Sequence, residues 1–106
     1  MTAQIQQLLK KFKRGLRQVY GTRLKGLYLY GSYARDDFDA GSDLDVLVVL
    51  SDFERAPLEL RRTSQLVGDL SLEYLVTVSP VFMREQDWQT ADKPLLRSIR
   101  SEGVAV

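Results

Sequence analysis

The chain has 106 residues and a formal net charge of +1. That fits one small domain, residues 1–106, whose thin core cannot enclose a large ligand on all sides, so a ligand site must be open or completed by a partner. It contains neither cysteine nor histidine, which excludes a disulfide framework, a thiolate metal site and Ser-His-Asp or Cys-His catalysis, and leaves hard cations such as magnesium or manganese, held by carboxylates, as the only metals in play.

The small net charge hides an asymmetry. Residues 1–35 carry eight basic residues (Lys10, Lys11, Lys13, Arg14, Arg17, Arg23, Lys25, Arg35) and no acid. A positive end of this kind attracts phosphate or an acidic partner, or is simply the solvated face of a helix.

Residues 3–20 predict an amphipathic helix, with Ile5, Leu8, Leu9, Phe12, Leu16, Val19 and Tyr20 at helical spacing and Gly21 as its stop. Leu24–Tyr30 predicts a strand ended by Gly31, and residues 32–42 a polar, turn-rich connection with one helical turn at Ser32–Arg35. Asp43–Leu50 predicts a second strand, apolar on both faces and therefore central. Residues 56–67 predict a helix with Pro57 in its first turn and Gly68 past its end. Alternation from Leu70 to Val78 predicts a third strand, and Ser79-Pro80 the capped start of a helix running to about Trp88. Lys93-Pro94 opens a last helix with Leu95, Leu96 and Ile99 inward and Gly103 at its end, after which Val104–Val106 adds an edge strand. The expected architecture is one α/β domain with a mixed three- to four-stranded sheet packed with helices. The longest apolar run, Val46 to Leu50, falls far short of the roughly 20 residues of a membrane span, so no membrane association and a cytoplasmic location are expected.

Chemistry concentrates at the first strand–strand connection. Asp43 and Asp45 stand at i and i+2, on one face of the second strand, with α-carbons ~6–7 Å apart. Two carboxylates about 4 Å apart repel by about 4 kcal/mol at an effective dielectric of 20, and a divalent cation converts that repulsion into shared coordination. Alone, an Asp-x-Asp at a strand end is more often a solvated turn. Gly31-Ser32 changes the balance: the glycine permits close backbone approach, and the serine offers a hydroxyl and neighbouring N–H groups to a phosphate. Antiparallel strands would set this cradle beside the two aspartates, as a site for a nucleoside triphosphate bound through magnesium.

These residues carry a family resemblance. Gly31-Ser32-Tyr33-Ala34-Arg35 through Gly41-Ser42-Asp43-Leu44-Asp45 resembles the signature of the DNA polymerase β-type nucleotidyltransferases, and more closely that of their smallest branch, the minimal nucleotidyltransferases. The tail Pro94–Gly103 is similar to that branch's C-terminal helix, so the likeness covers nearly the whole chain. Asp36 departs from it, since glycine is usual after the arginine. The resemblance implies a third carboxylate on a neighbouring strand, for which Glu73 is the candidate and Asp69 the rival. It implies two magnesium ions held by Asp43, Asp45 and Glu73, with Glu73 also able to take the acceptor's proton. Gly31 and Ser32 would hold the β and γ phosphates, and Arg35 would neutralise phosphate charge or pair with Asp36 or Asp37.

The branch further implies an antitoxin that transfers AMP from ATP, or another nucleoside monophosphate from its triphosphate, to a tyrosine of a helical HEPN-domain toxin. The alternatives are an antitoxin that neutralises a HEPN partner by binding alone, and a transferase acting on a small molecule or nucleic acid. Direct nucleic-acid binding rests only on the basic N-terminal third and is not expected. The short chain and its exposed sheet edges favour a homodimer or a hetero-complex.

Overall fold

The computed structural model describes residues 1–106. Helix α1 (Ala3–Tyr20) starts where the Thr2 hydroxyl accepts the Ile5 N–H at 3.2 Å, and stops at Gly21, whose φ of 57° breaks the helical path. A single 3₁₀ turn leads into β1 (Leu24–Tyr30), followed by the one-turn helix α2 (Ser32–Arg35) and β2 (Leu44–Leu50). Two successive helices, α3 (Ala56–Arg62) and α4 (Ser64–Tyr74), precede β3 (Val78–Arg84). The chain then forms α5 (Glu85–Thr90), α6 (Pro94–Glu102) and β4 (Val104–Ala105).

The sheet runs β3-β2-β1-β4, with β2 antiparallel to β1 and parallel to β3, and β4 antiparallel to β1. Every residue of β2 except Asp45 is buried, as its two apolar faces require of a central strand. The sheet separates two cores. On one side α1 and α4 bury Leu8, Phe12, Leu16 and Leu70 against Leu27, Leu29, Leu44, Val46 and Val48. On the other, Ile99 of α6 packs on Leu47 and Val49, with Tyr28, Tyr30, Val81, Met83 and Trp88 around them. The mixed α/β architecture matches the sequence expectation, as do α1, β1, α2, β2, α6 and β4.

Three expectations are corrected. The helix expected over 56–67 is two helices, breaking at Thr63, whose hydroxyl donates back to the Glu59 carbonyl at 2.9 Å. The strand expected over Leu70–Val78 is the second half of α4: Leu66, Val67, Leu70 and Tyr74 form a helical stripe toward the core, while Leu72 stays 77% exposed. Helix α4 ends at Leu75, which takes a left-handed conformation with φ of 55°. The third strand lies one element later, and Ser79-Pro80 belongs to it rather than to a helix start. Proline is tolerated there because β3 is a sheet edge, where a missing N–H need not break the ladder.

Part of the basic face of α1 makes contacts to other elements. Lys11 pairs with Glu73 of α4 at 2.5 Å, and Lys13 donates to the Val106 carbonyl at 2.7 Å. Behind α1 lies a buried acid the sequence did not reveal. Glu59 of α3 accepts a hydrogen bond from the Tyr20 hydroxyl at 2.7 Å and pairs with Arg62 at 3.1 Å. Burial first, then the Glu59 hydrogen bond, push the Tyr20 phenol well above its ordinary value. Removing the donor leaves a buried carboxylate short of a partner, so Tyr20→Phe is expected to cost about 1–3 kcal/mol in urea unfolding. A midpoint unchanged from wild type would show that the bond contributes nothing.

Candidate active site

The site forms where β1 ends and β2 begins. Tyr30, the last residue of β1, pairs with Asp45 across the antiparallel ladder, so Gly31 falls directly beside the Asp45 side chain. A Cβ on Gly31 would sit inside van der Waals contact with the Asp45 carboxylate, and its φ of 75° is one that side-chain-bearing residues rarely adopt. Glycine is therefore required here twice, by space and by conformation. The Gly31 carbonyl accepts the N–H groups of Ala34 and Arg35, each at 3.1 Å, which winds Ser32–Arg35 into α2 beside the acids. The first N–H groups of such a turn have no acceptor within it, and they sit next to the Ser32 hydroxyl.

Asp43 is exposed and Asp45 half-buried. Strand alternation puts both on the face that carries Leu47 and Val49. Burial first, then the charge of Asp43, hold the Asp45 carboxyl above the ordinary carboxylate range, and the nearby Arg35 guanidinium draws it partly back. Burial and the Asp45 charge likewise raise the Tyr30 phenol. Arg35 is gripped on two sides, by Asp37 at 3.1 Å and by Glu102 at the end of α6 at 3.1 Å. The pairing with Asp37 is one of those expected, whereas Glu102 gave no sign in the sequence.

The connection over the site is internally ordered. Tyr33 and Phe38 stack with ring centroids 4.1 Å apart and planes 9° from parallel. Asp39 accepts the Gly41 N–H at 2.8 Å, and the Asp39 N–H donates to Ser42 Oγ at 3.0 Å. Asp36 takes φ of 64°, a left-handed conformation that glycine adopts without cost and Asp tolerates. That conformation is a physical reason why the resemblance leads one to expect glycine here.

Glu73 does not join the aspartates. It lies on α4, in the helical layer over the opposite face of the sheet, where the Lys11 ammonium holds it at 2.5 Å. Asp69 lies on the same helix and accepts from Gln65 at 2.9 Å. Nowhere in the chain do three acidic side chains converge as a metal-binding group. On the neighbouring strand the residue paired with Asp45 is Ser79. The row across the sheet at this level is Ser79, Asp45 and Tyr30. Tyr30 could have been found from β1 alternation alone, whereas Ser79 needed β3 to be placed correctly.

Two consequences are measurable. Gly31→Ala is expected to cost about 1–3 kcal/mol from backbone strain alone, with a further loss as the Asp45 carboxylate is displaced. Its check is a denaturation midpoint set beside that of Ser32→Ala, which should be near wild type. Asp45 is protonated more readily folded than unfolded, so its contribution to stability is present at low pH and is lost as pH rises through its folded pKa. Asp45→Asn should therefore raise the melting temperature at pH 7, and the gain should vanish in acid, where wild-type Asp45 is itself neutral.

Comparison with known proteins bears on this site. The profile of the nucleotidyltransferase domain family matches residues 9–104. Two relatives from Methanocaldococcus jannaschii are similar to the chain. "Putative protein adenylyltransferase MJ0141" is 27% identical over 103 residues, spanning 97% of this chain and 99% of that protein. "Putative protein adenylyltransferase MJ0604" is 31% identical over 78 residues, spanning 74% and 72%. A crystal structure of a toxin–antitoxin with AMP-PNP shares the fold at a TM-score of 0.61 and 20% identity, covering 89% of this chain and 68% of that one. So does a Shewanella oneidensis complex of tri-AMPylated HEPN toxin with MNT antitoxin, at a TM-score of 0.54 and 17% identity, covering 92% and 70%. With the family profile spanning nearly the whole chain and the Gly31-Ser32 and Asp43/Asp45 arrangement in place, the chain belongs to the nucleotidyltransferase domain family, as the resemblance to its minimal branch implies.

Proposed function

We propose that the chain is an antitoxin of the minimal nucleotidyltransferase kind, which transfers AMP from ATP to a hydroxyl of a HEPN-domain toxin. The observation that carries the reading is Asp45 seated against Gly31, with Asp43 two residues before it on the same strand face. A repelling pair of carboxylates, one of them half-buried and raised in pKa, costs stability unless a cation is bound there. The close approach that Gly31 allows fits a hard divalent ion, which both aspartates would hold; magnesium is the expected ion. When bound with the nucleotide, it supplies charge neutralisation at the reacting phosphate.

The chain's own groups position the triphosphate. The Ser32 hydroxyl and the N–H groups opening α2 would hold phosphate oxygens, and Arg35 would add positive charge at the same end. An acceptor hydroxyl oxygen bonds to the α-phosphorus as the bond to the β-phosphate bridging oxygen breaks, releasing pyrophosphate.

A protein acceptor suits this surface. An open cleft is lined by Ala40, Gly41, Ser42, Leu72, Leu75 and Thr77, and Ser42 is the residue that precedes Asp43. Leu72 and Leu75 are 77% and 88% exposed, and large apolar side chains held in water next to an open site suit contact with another protein. The names of the relatives and the HEPN and toxin–antitoxin structures of the same fold support the same acceptor class. The second reading, neutralisation by binding alone, is favoured by one observation, the lack of a third acid at the aspartate pair.

Incubation with labelled ATP, magnesium and a co-expressed HEPN partner separates the two. Label should appear on the partner and fall at least about 100-fold in the Asp43→Asn, Asp45→Asn double variant, a loss of the size expected when charge stabilisation at the reacting centre is removed. Label that persists in the double variant would sink the assignment, and a tight unlabelled complex would favour binding alone. Glu73→Gln should keep labelling within about 2-fold, because Glu73 serves the contact between α1 and α4; a 100-fold drop would return it to the site.

A further inference from the structure

The side-chain row across the sheet limits how many metal ions this site can hold. Parallel pairing sets Ser79 next to Asp45, one strand over and on the same face, and the same register continues to Thr77 beside Asp43, where the Thr77 carbonyl accepts the Leu44 N–H at 2.8 Å. Neighbouring strands lie about 4.8 Å apart, so these two positions, one on β3 and one just before it, are the places from which a neighbouring side chain could reach an ion shared with the aspartates. Both carry neutral hydroxyls. On the other flank stands Tyr30, a phenol rather than a carboxylate. Glu73 and Asp69 lie on α4, over the opposite face.

We propose that the site takes a single divalent ion with each nucleotide, and that Ser79 stands where a third carboxylate would have to be for a second ion to bind. This rests on the nucleotide-binding reading given above. Two divalent ions in a paired site lie about 3.5–4 Å apart, and at that distance they repel four times as strongly as two unit charges. Asp43 and Asp45 supply protein charge for one of them, the ion that the triphosphate also neutralises. A hydroxyl is a neutral, weak ligand and offsets none of the second charge. The same row contains no carboxylate free to take the proton of an acceptor hydroxyl, so that proton leaves to a group the acceptor or solvent brings.

The test counts ions rather than turnover. Wild-type protein is saturated with a non-hydrolysable ATP analogue, and bound Mn2+ and bound nucleotide are measured together, by electron paramagnetic resonance and equilibrium dialysis. One Mn2+ per bound nucleotide is expected for wild type, and two for Ser79→Asp, with circular dichroism confirming that the variant is folded. Two ions per nucleotide in wild type would overturn the proposal while leaving the nucleotide site standing. One ion per nucleotide in a folded Ser79→Asp would overturn the assignment of Ser79 as the missing ligand position. No bound nucleotide in either protein would instead overturn the nucleotide-binding reading and the proposal with it.

Discussion

The antiparallel pairing of β1 with β2 is the constraint on which the site depends. Because Tyr30 lies opposite Asp45, the turn leaving β1 must pass the carboxylate of Asp45 at close range, and only a glycine fits. A slip of one residue would point both aspartates into the α1–α4 core and the apolar set of β2 into the site. Register is held against that slip by burial on both faces. Leu44, Val46, Val48 and Leu50 lock into one core, and Leu47 and Val49 into the other. The energy of two apolar layers thus keeps two unfavourable charges in place at their rim.

The charges in turn explain the company around them. Arg35 moderates the raised Asp45 carboxyl while being pinned by Asp37 and Glu102, so its guanidinium is held from two sides. Glu102 belongs to the last helix, which places the C-terminal segment within the electrostatics of the site. The loop of residues 36–42 gains its order from the Tyr33–Phe38 stack and the Asp39 turn, so an irregular polar segment still presents Asp43 in one place.

The half of the molecule that bears Gly31, Ser32, Asp43 and Asp45 was legible in the sequence, because its signals are local. The α1 stripe, the aromatic run ending at Gly31 and the doubly apolar β2 each admit one period. The stretch 64–80 was not, for a physical reason. Leu70, Leu72, Tyr74, Val76 and Val78 alternate, yet burial selects Leu66, Val67, Leu70 and Tyr74 and leaves Leu72 and Leu75 in water. A surface leucine kept exposed imitates a strand's inner face. Ser79-Pro80 imitates a helix start equally well, and only its place on a sheet edge separates the two. With a strand expected over Leu70–Val78, Glu73 falls mid-strand, and Ser79 reads as a helix cap rather than as the neighbour of Asp45.

The proline in β3 also shapes how this protein can be touched. β3 is one edge of the sheet, and Pro80 removes a backbone donor from it; the opposite edge is β4, only two residues long. A long uninterrupted edge invites another chain to add a strand. Neither edge here offers one. Any contact with another chain would therefore fall to side chains, and the most exposed apolar ones, Leu72 and Leu75, line an open cleft with Ala40, Gly41 and Ser42.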